Sequence, residues 1–308
     1  MRRLRQDGRV RAIVFETHGG PEVLHLADVP DPQAGPGRVR VRVEAAAVNV
    51  WDVKSRAGAT GAPAPTSPVV PGLEVAGVVD QVGDGVTGVA PGDRVVGFSV
   101  GGGYAELALA SVVARVPDGL DLTEAVTLPV AAETATRVLR LLDVRPGETL
   151  LVHGASGAVG ALATQLAVRR GARVIGTASA RNAGRVSALG ATPTPYGAGL
   201  VDRVRALAPE GVDAVLDAAG AGVLPDSIAL RGGTDRIVTI ADDAAADLGV
   251  EASWRSERDA GDLAEAVAAL ARGDLVTTVG AVLPLADAPR AHALVESRHP
   301  GGKVVLVP

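Results

Sequence analysis

Glycines at 154, 157 and 160 close an apolar run, Thr149-Leu-Leu-Val-His153, and precede an amphipathic stretch that starts at Ala158. A strand that turns through glycines into a helix is built to grip a pyrophosphate. Missing side chains let the backbone turn sharply and approach the anion, and the start of the helix offers unpaired N–H groups. Gly154-Ala155-Ser156-Gly157-Ala158-Val159-Gly160 is therefore read as a dinucleotide loop. A nucleoside triphosphate loop would need Gly-Lys-Ser or Gly-Lys-Thr after the glycines; Gly160-Ala-Leu stands there instead, which disfavours phosphoryl transfer.

The end of the second strand selects the dinucleotide, because an acidic residue there holds the ribose hydroxyls of NAD and repels a 2′-phosphate. No Asp or Glu occurs between Glu148 and Asp202. The chain runs instead through Gly176-Thr-Ala-Ser-Ala-Arg181-Asn, with Arg185 a helical turn later. Ser179 and Arg181 are placed to hold a 2′-phosphate, a charge-assisted contact worth about 1.5–3 kcal/mol. That energy is about a ten- to hundredfold preference for NADPH. The other reading of the two arginines is that of solvated helix residues. Asp217-Ala-Ala219-Gly220 and Ile240 follow the fourth and fifth strands, at the sheet edge where such a cofactor lies.

These residues need a scaffold, and the chain's texture supplies two. With 308 residues, two packed domains are expected. From Arg11 to about Val116, short apolar alternations (Ala12–Phe15, Val39–Val43, Glu74–Val79, Arg94–Phe98) broken by Gly and Pro read as an all-β unit. After about Glu124, strands alternate with helices, the mark of a parallel sheet with crossovers. The strands read are Thr149–His153, Arg173–Thr177, Asp213–Leu216 and Arg236–Ile240; the helices are Ala158–Arg170, Arg181–Leu189, Gly199–Leu207 and Val223–Leu230. A helix near Ala286–Ser297 and a final strand, Lys303–Val307, end the chain.

Composition excludes whole classes of partner. A net charge of −5 and only six aromatic residues argue against nucleic acid or an acidic membrane, which demand basic surfaces and stacking platforms. The basic start has no apolar run after it, so neither signal peptide nor anchor is expected, and no stretch is apolar enough to span a membrane. A cytoplasmic location is the expectation. The chain has no cysteine, which removes disulfides, thiolate nucleophiles and thiolate metal sites.

Taken together, these segments resemble the medium-chain dehydrogenase/reductase superfamily, in its zinc-free quinone oxidoreductase branch. The motifs are Gly19-Gly-Pro-Glu-Val-Leu24, Ala47-Val-Asn49, Pro71-Gly72 with Glu74-Val-Ala-Gly77, Gly92-Asp-Arg-Val95, Gly102-Gly-Tyr-Ala-Glu106, the glycine loop and Gly302-Lys-Val-Val305. The resemblance implies a GroES-like β-barrel built from both chain ends (1–124 and 273–308). It also implies a Rossmann domain between them (125–272), a doubly wound parallel sheet that binds NADPH, with the catalytic cleft at their junction. Zinc-dependent relatives carry a Cys ligand near Asn49 and a Gly-His-Glu motif; here the motif reads Gly72-Leu73-Glu74, and no metal site is expected. His18, His25, His153, His292 and His299 lack metal-ligand spacing and are read as surface or packing residues.

Asn49-Val-Trp-Asp52-Val-Lys54 is similar to the Asn-Pro-x-Asp-x-Lys pattern of enone and quinone reductases, without the proline. The resemblance puts it beside the nicotinamide. Asn49 would bond cofactor or substrate, and Lys54 would donate to the substrate oxygen with Asp52 orienting it. A plain ion pair between Asp52 and Lys54 or a nearby arginine stays open, and Trp51 is a pocket wall or core. Thr134 resembles the residue that touches the carboxamide, and Tyr196 one that meets the 2′-phosphate; Tyr104, in its Gly-Gly-Tyr-Ala-Glu turn, is read as structural. A homodimer through residues near Leu248–Ser253 is implied. The expected activity is hydride transfer from NADPH to a quinone or an α,β-unsaturated carbonyl. The alternatives are a biosynthetic enoyl or double-bond reductase and a non-catalytic NADPH-binding redox sensor.

Overall fold

The structure, a computed structural model, describes residues 8–298 and 300–308; the basic start and His299 lie outside the described residues. In chain order the first elements are β1 (Arg9–Val14), β2 (His25–Pro30), β3 (Val39–Val48), α1 (Val50–Arg56), β4 (Glu74–Val82), β5 (Arg94–Val100), β6 (Leu107–Arg115) and α2 (Leu122–Ala125). Alternation follows: α3 (Pro129–Leu141), β7 (Thr149–His153), α4 (Ala158–Arg169), β8 (Arg173–Thr177), α5 (Ala183–Ala188), β9 (Thr192–Thr194), α6 (Leu200–Leu207), β10 (Ala214–Asp217), α7 (Leu224–Arg231), β11 (Ile237–Thr239), α8 (Ala245–Leu248) and β12 (Glu251–Ala252). The chain closes with α9 (Ala260–Ala271), β13 (Val279–Pro284), α10 (Ala288–Glu296) and β14 (Lys303–Val307). Contacts divide it into two compact units, one running to Val130 and resuming at Asp259, the other Ala131–Arg258.

In the first unit β3 shows why these residues pair. Val39, Val41 and Val43 are buried while Arg42 and Glu44 are exposed, the period of two that a half-covered strand requires. Antiparallel pairing runs β3 to β4 to β5 to β6, and β6 returns to the first half of β3 through Val39 with Ala110 and Arg42 with Leu107. This closes a barrel and leaves those four strands few free edges. The second half of β3 pairs with β14, so the last strand completes the unit that the first strands begin, and β13 lies parallel on the outer side of β14. The helix α9 packs on β6.

In the second unit six strands lie parallel in the order β12-β11-β10-β7-β8-β9. Every residue of β7 is buried, as a sheet covered on both faces demands. On one face Leu151, Ile175, Val215 and Ile237 pack against Leu200 and Val204 of α6 and Leu224 of α7. The strand order reverses between β7 and β10, which opens a crevice at their carboxyl ends. The architecture is the doubly wound parallel sheet with a GroES-like barrel expected above. Among the described residues no helix is long and apolar enough to cross a membrane.

One guanidinium ties three elements of this unit together. Arg236 donates to Glu148 at 2.9 and 2.6 Å, and at 2.9 Å each to the carbonyls of Leu142 and Asp143 after α3. The hydrogen bonds from Arg236 hold the Glu148 carboxyl down at about 2. A carboxyl depressed on folding contributes stability above its unfolded value, and that contribution is lost as pH falls from about 4.5 toward 2. Arg236→Ala should therefore cost about 1.5–3 kcal/mol at pH 7, with the deficit shrinking through that acid range in denaturant titrations. A deficit independent of pH would refute the linkage.

Candidate functional site

The glycine loop is held from below by β8. The Gly154 N–H donates to Thr177 Oγ1 at 3.1 Å and the Ala155 N–H to the Thr177 carbonyl at 3.1 Å. A side chain at 160 would place its Cβ 2.3 Å from the Gly154 carbonyl oxygen, so only glycine lets α4 start this close to the strand. Gly157 caps α4, and Ala158 and Val159 form its first turn, where helix N–H groups have no partner within the helix. Ala219 and Gly220 follow β10 and give their N–H groups to Asp217 Oδ1 at 2.9 and 3.0 Å; Asp217, fully buried, also accepts from Thr239 Oγ1 at 2.7 Å. Ile240 joins this edge by donating its N–H to the Asp217 carbonyl at 3.0 Å.

The segment that follows β8 carries cations and hydroxyls. Ser179 is half-buried at the end of β8, and Arg181 is exposed and makes no ion pair among the described residues. Arg185 turns back and donates to the Ser156 carbonyl, while Asn182 Nδ2 reaches Ser156 Oγ at 3.3 Å. Sequence reasoning did not single out Thr177 or Asn182; a Thr at the end of the second strand is the only signal either leaves. Tyr196 lies exposed beyond β9. Thr134 is buried on α3 beside Glu133, which pairs with Arg137 at 2.7 Å and accepts the N–H of Glu257 at 2.8 Å.

In the barrel unit a cavity of about 430 Å³ is lined by Trp51, Asp52 and Ser55 of α1, by the segment 68–73 and by Ser99, Gly101 and Gly102. Asn49 and Asp52 build the start of α1 as a capping box does: the Asn49 N–H donates to Asp52 Oδ2 at 2.8 Å. The Tyr104 hydroxyl donates to the same oxygen at 3.0 Å. Tyr104 fits because residue 72 is glycine; a Cβ there would lie 2.5 Å from the ring. Burial pushes the Asp52 carboxyl up to about 7, against the pull of these two hydrogen bonds, and keeps the Tyr104 hydroxyl protonated well above its ordinary range. Behind them His292 meets the Tyr104 ring edge-on at 5.8 Å; burial, helped by the charge of Arg56, lowers this imidazole to about 4.

Lys54 is half-buried but does not line the cavity. Residues two apart on a helix face different ways, and Asp52 is engaged by Asn49 and Tyr104 instead. Asn49 is itself held at both ends of its amide. Its Nδ2 donates to Glu74 Oε1 at 3.0 Å, and its Oδ1 accepts from Lys303 Nζ at 2.5 Å. Lys303 also pairs with Glu74 at 2.6 Å, and Glu74 Oε2 accepts the Val130 N–H at 2.8 Å; both charged side chains are buried. Among the described residues the second N–H of the Asn49 side-chain amide has no hydrogen-bond partner. Glu74, Tyr104 and Lys303 were not among the expected site residues. The available signal was a charge at the head of an apolar strand, Glu74-Val-Ala or Lys303-Val-Val, since buried charges demand partners.

Residues 35–118 match the family model of the alcohol dehydrogenase GroES-like domain, and residues 189–306 that of a zinc-binding dehydrogenase. The chain is similar to the quinone oxidoreductase of Rattus norvegicus, 35% identical over 240 residues that cover 75% of this chain and 73% of that one. Over 153 residues, 49% of this chain, it is 45% identical to a component of the pikromycin polyketide synthase of Streptomyces venezuelae, of which it covers 4%. The solved quinone oxidoreductase of Escherichia coli complexed with NADPH superimposes with a TM-score of 0.85 at 28% identity, covering 97% of this chain and 100% of that one.

Removing one partner of a buried ion pair strands the other. Lys303→Met is expected to cost about 3–5 kcal/mol, and adding Glu74→Gln to recover much of it. Urea titration of the single and double variants reads the difference; a single variant as stable as the parent would dispose of the pair's structural role.

Proposed function

We propose, from the premise that this chain belongs to the quinone oxidoreductase branch of the medium-chain dehydrogenase/reductase superfamily, that it is an NADPH-dependent reductase of quinones or α,β-unsaturated carbonyls that works without zinc. The observation that carries this reading is the glycine loop whose adenosine end holds Ser179 and Arg181 and no carboxylate.

When bound, the reduced dinucleotide supplies a hydride. The N–H groups at the start of α4 take the pyrophosphate, and the loop is preset for it by Thr177, Asn182 and Arg185. Arg181, with Ser179 and Tyr196 beside the same end of the sheet, offers its guanidinium to the 2′-phosphate. Thr134, Ala219, Gly220 and Ile240 serve the rest of the cofactor.

The zinc of related dehydrogenases does not fit these residues. The chain has no cysteine, the histidine position is Leu73, and the Asn49 amide is already held by Glu74 and Lys303. A conjugated acceptor suits such a site, because charge arriving with the hydride spreads onto oxygen and needs only a proton. We assign that proton to Asp52. Both hydrogen bonds to its carboxyl end on Oδ2, which leaves Oδ1 for the acceptor in the cavity. The carboxylate that remains is received by the Asn49 N–H and the Tyr104 hydroxyl, and by the positive charge of Lys303. Tyr104 keeps its own proton and acts as a fixed donor. Lys54 is the competing donor, and Asn49 orients the start of the helix that carries both.

The likeness to a polyketide synthase component favours a second reading, a biosynthetic double-bond reductase, which differs in acceptor and not in chemistry. Assembly as a homodimer is supported by β12, the outermost strand of its sheet, whose free edge suits pairing with a second copy.

Two measurements test the reading. Arg181→Ala should raise KM for NADPH about ten- to hundredfold more than KM for NADH, and equal changes would dismiss the 2′-phosphate assignment. For Asp52, kcat with an enone should fall as pH rises above about 7, because the protonated carboxyl is the donor. Asp52→Asn should lower kcat about a hundredfold and abolish that inflection while Lys54→Met preserves it; the reverse pattern would transfer the role to Lys54.

A further inference from the structure

A second cavity adjoins the first. It measures about 360 Å³ and shares four wall residues with the pocket around Asp52, namely Pro68, Val70, Gly101 and Gly102. Its other walls come from β1, β2, β5 and β6 and from the segments next to them. Ten of its fourteen lining residues are Val, Pro, Ala or Leu, two are glycine, and only Arg9 and Asp28 are charged. Those two are exposed, and Arg9 donates to the Asp28 carbonyl. Among the described residues no hydroxyl, amide, imidazole or aromatic side chain lines this space, and its polar side chains are those of Arg9 and Asp28. The pocket beside it holds Asp52, Ser55 and Ser99. A mainly apolar space that adjoins a pocket holding a carboxyl and two hydroxyls suits a molecule with one reactive polar end and one apolar end.

We propose that the second cavity is a tail subsite, so that the acceptor is a conjugated carbonyl compound carrying an apolar tail, its carbonyl beside Asp52 and its tail against Val29, Val100 and Leu109. The inference rests on the reductase reading above and sharpens it: a small unsubstituted quinone would leave the tail subsite unused. Val29, Val100 and Leu109 line only the second cavity, and Val100 and Leu109 face each other across β5 and β6. Changing them alters the tail subsite without touching the groups around the reacting carbonyl.

The test uses linear vinyl ketones from about four to about twelve carbons with NADPH, and in parallel the saturated ketones of the same lengths. The latter cannot accept a hydride at a conjugated carbon, and their binding is followed through Trp51 fluorescence in a Trp254→Phe background. Both kcat/KM and affinity should climb about three- to fourfold per methylene, the fold-change that corresponds to about 0.8 kcal/mol, until the cavity is full. Val100→Phe should flatten the climb and leave but-3-en-2-one unaffected; Val29→Glu should do so by charge and serves if the first variant does not fold. Affinity independent of tail length, or a climb that survives in both folded variants, overturns the tail subsite. Length-dependent ketone binding with no NADPH oxidation by any acceptor would support the tail subsite and sink the reductase reading instead.

Discussion

An ammonium buried against a carboxylate, Lys303 on Glu74, is the contact on which the barrel unit and its pocket depend. Taking both charges out of water is costly, and their attraction repays this only when the remaining hydrogen-bonding positions are filled. Here they are. Asn49 bridges the pair through both ends of its amide, and the Val130 N–H takes the second carboxylate oxygen. The arrangement therefore welds the last strand of the chain to β4 and to the residue that starts α1. With Asn49 fixed, the helix begins at Val50, Asp52 reaches back to the Asn49 N–H, and the cavity acquires its one acidic wall.

The second unit is organised by backbone rather than by charge. Its strands are short and buried on both faces, and the glycine loop is shaped by hydrogen bonds from β8 and by the absence of a side chain at 160. The backbone contacts that form that loop involve no charged side chain. Arg185 and Asn182 stiffen the loop from outside, whereas Arg181 stays exposed with no ion pair among the described residues. Rigid donors and one uncommitted guanidinium are what recognition of a doubly anionic phosphate requires.

Burial and charge are balanced closely around Asp52. The acidic side of the pocket is backed by Tyr104 and by an imidazole that stays neutral at physiological pH, so among the described residues the positive charge that acts on the Asp52 carboxyl is that of Lys303. Burial wins over that charge, and the carboxyl titrates near neutrality. Pro68 and Val70 are shared with a second cavity of the same unit, lined mainly by Val, Pro, Ala and Leu.

Periodicity and punctuation made much of this protein legible from its residues alone. The run Thr149–His153, the glycines after it and Lys303–Val307 coincide with observed elements, because a parallel strand and a glycine turn leave local signatures. The helix α1 was legible in principle, since Asn49 and Asp52 have capping-box spacing, but the segment Val50–Arg56 is too short for its apolar period to show. Membership of α9 in the barrel unit was not, because an amphipathic helix declares that one face is buried and not against what. The glycine loop between β7 and α4, the missing cysteines and the arginines after β8 were thus determined by sequence. Tertiary structure alone decided that Lys303 meets Asn49 across 254 positions and that Tyr104 meets Asp52 across 52. Local periodicity carries no information about such pairs; they form only where strand closure brings a buried charge or hydroxyl to the one partner that offsets its lost water.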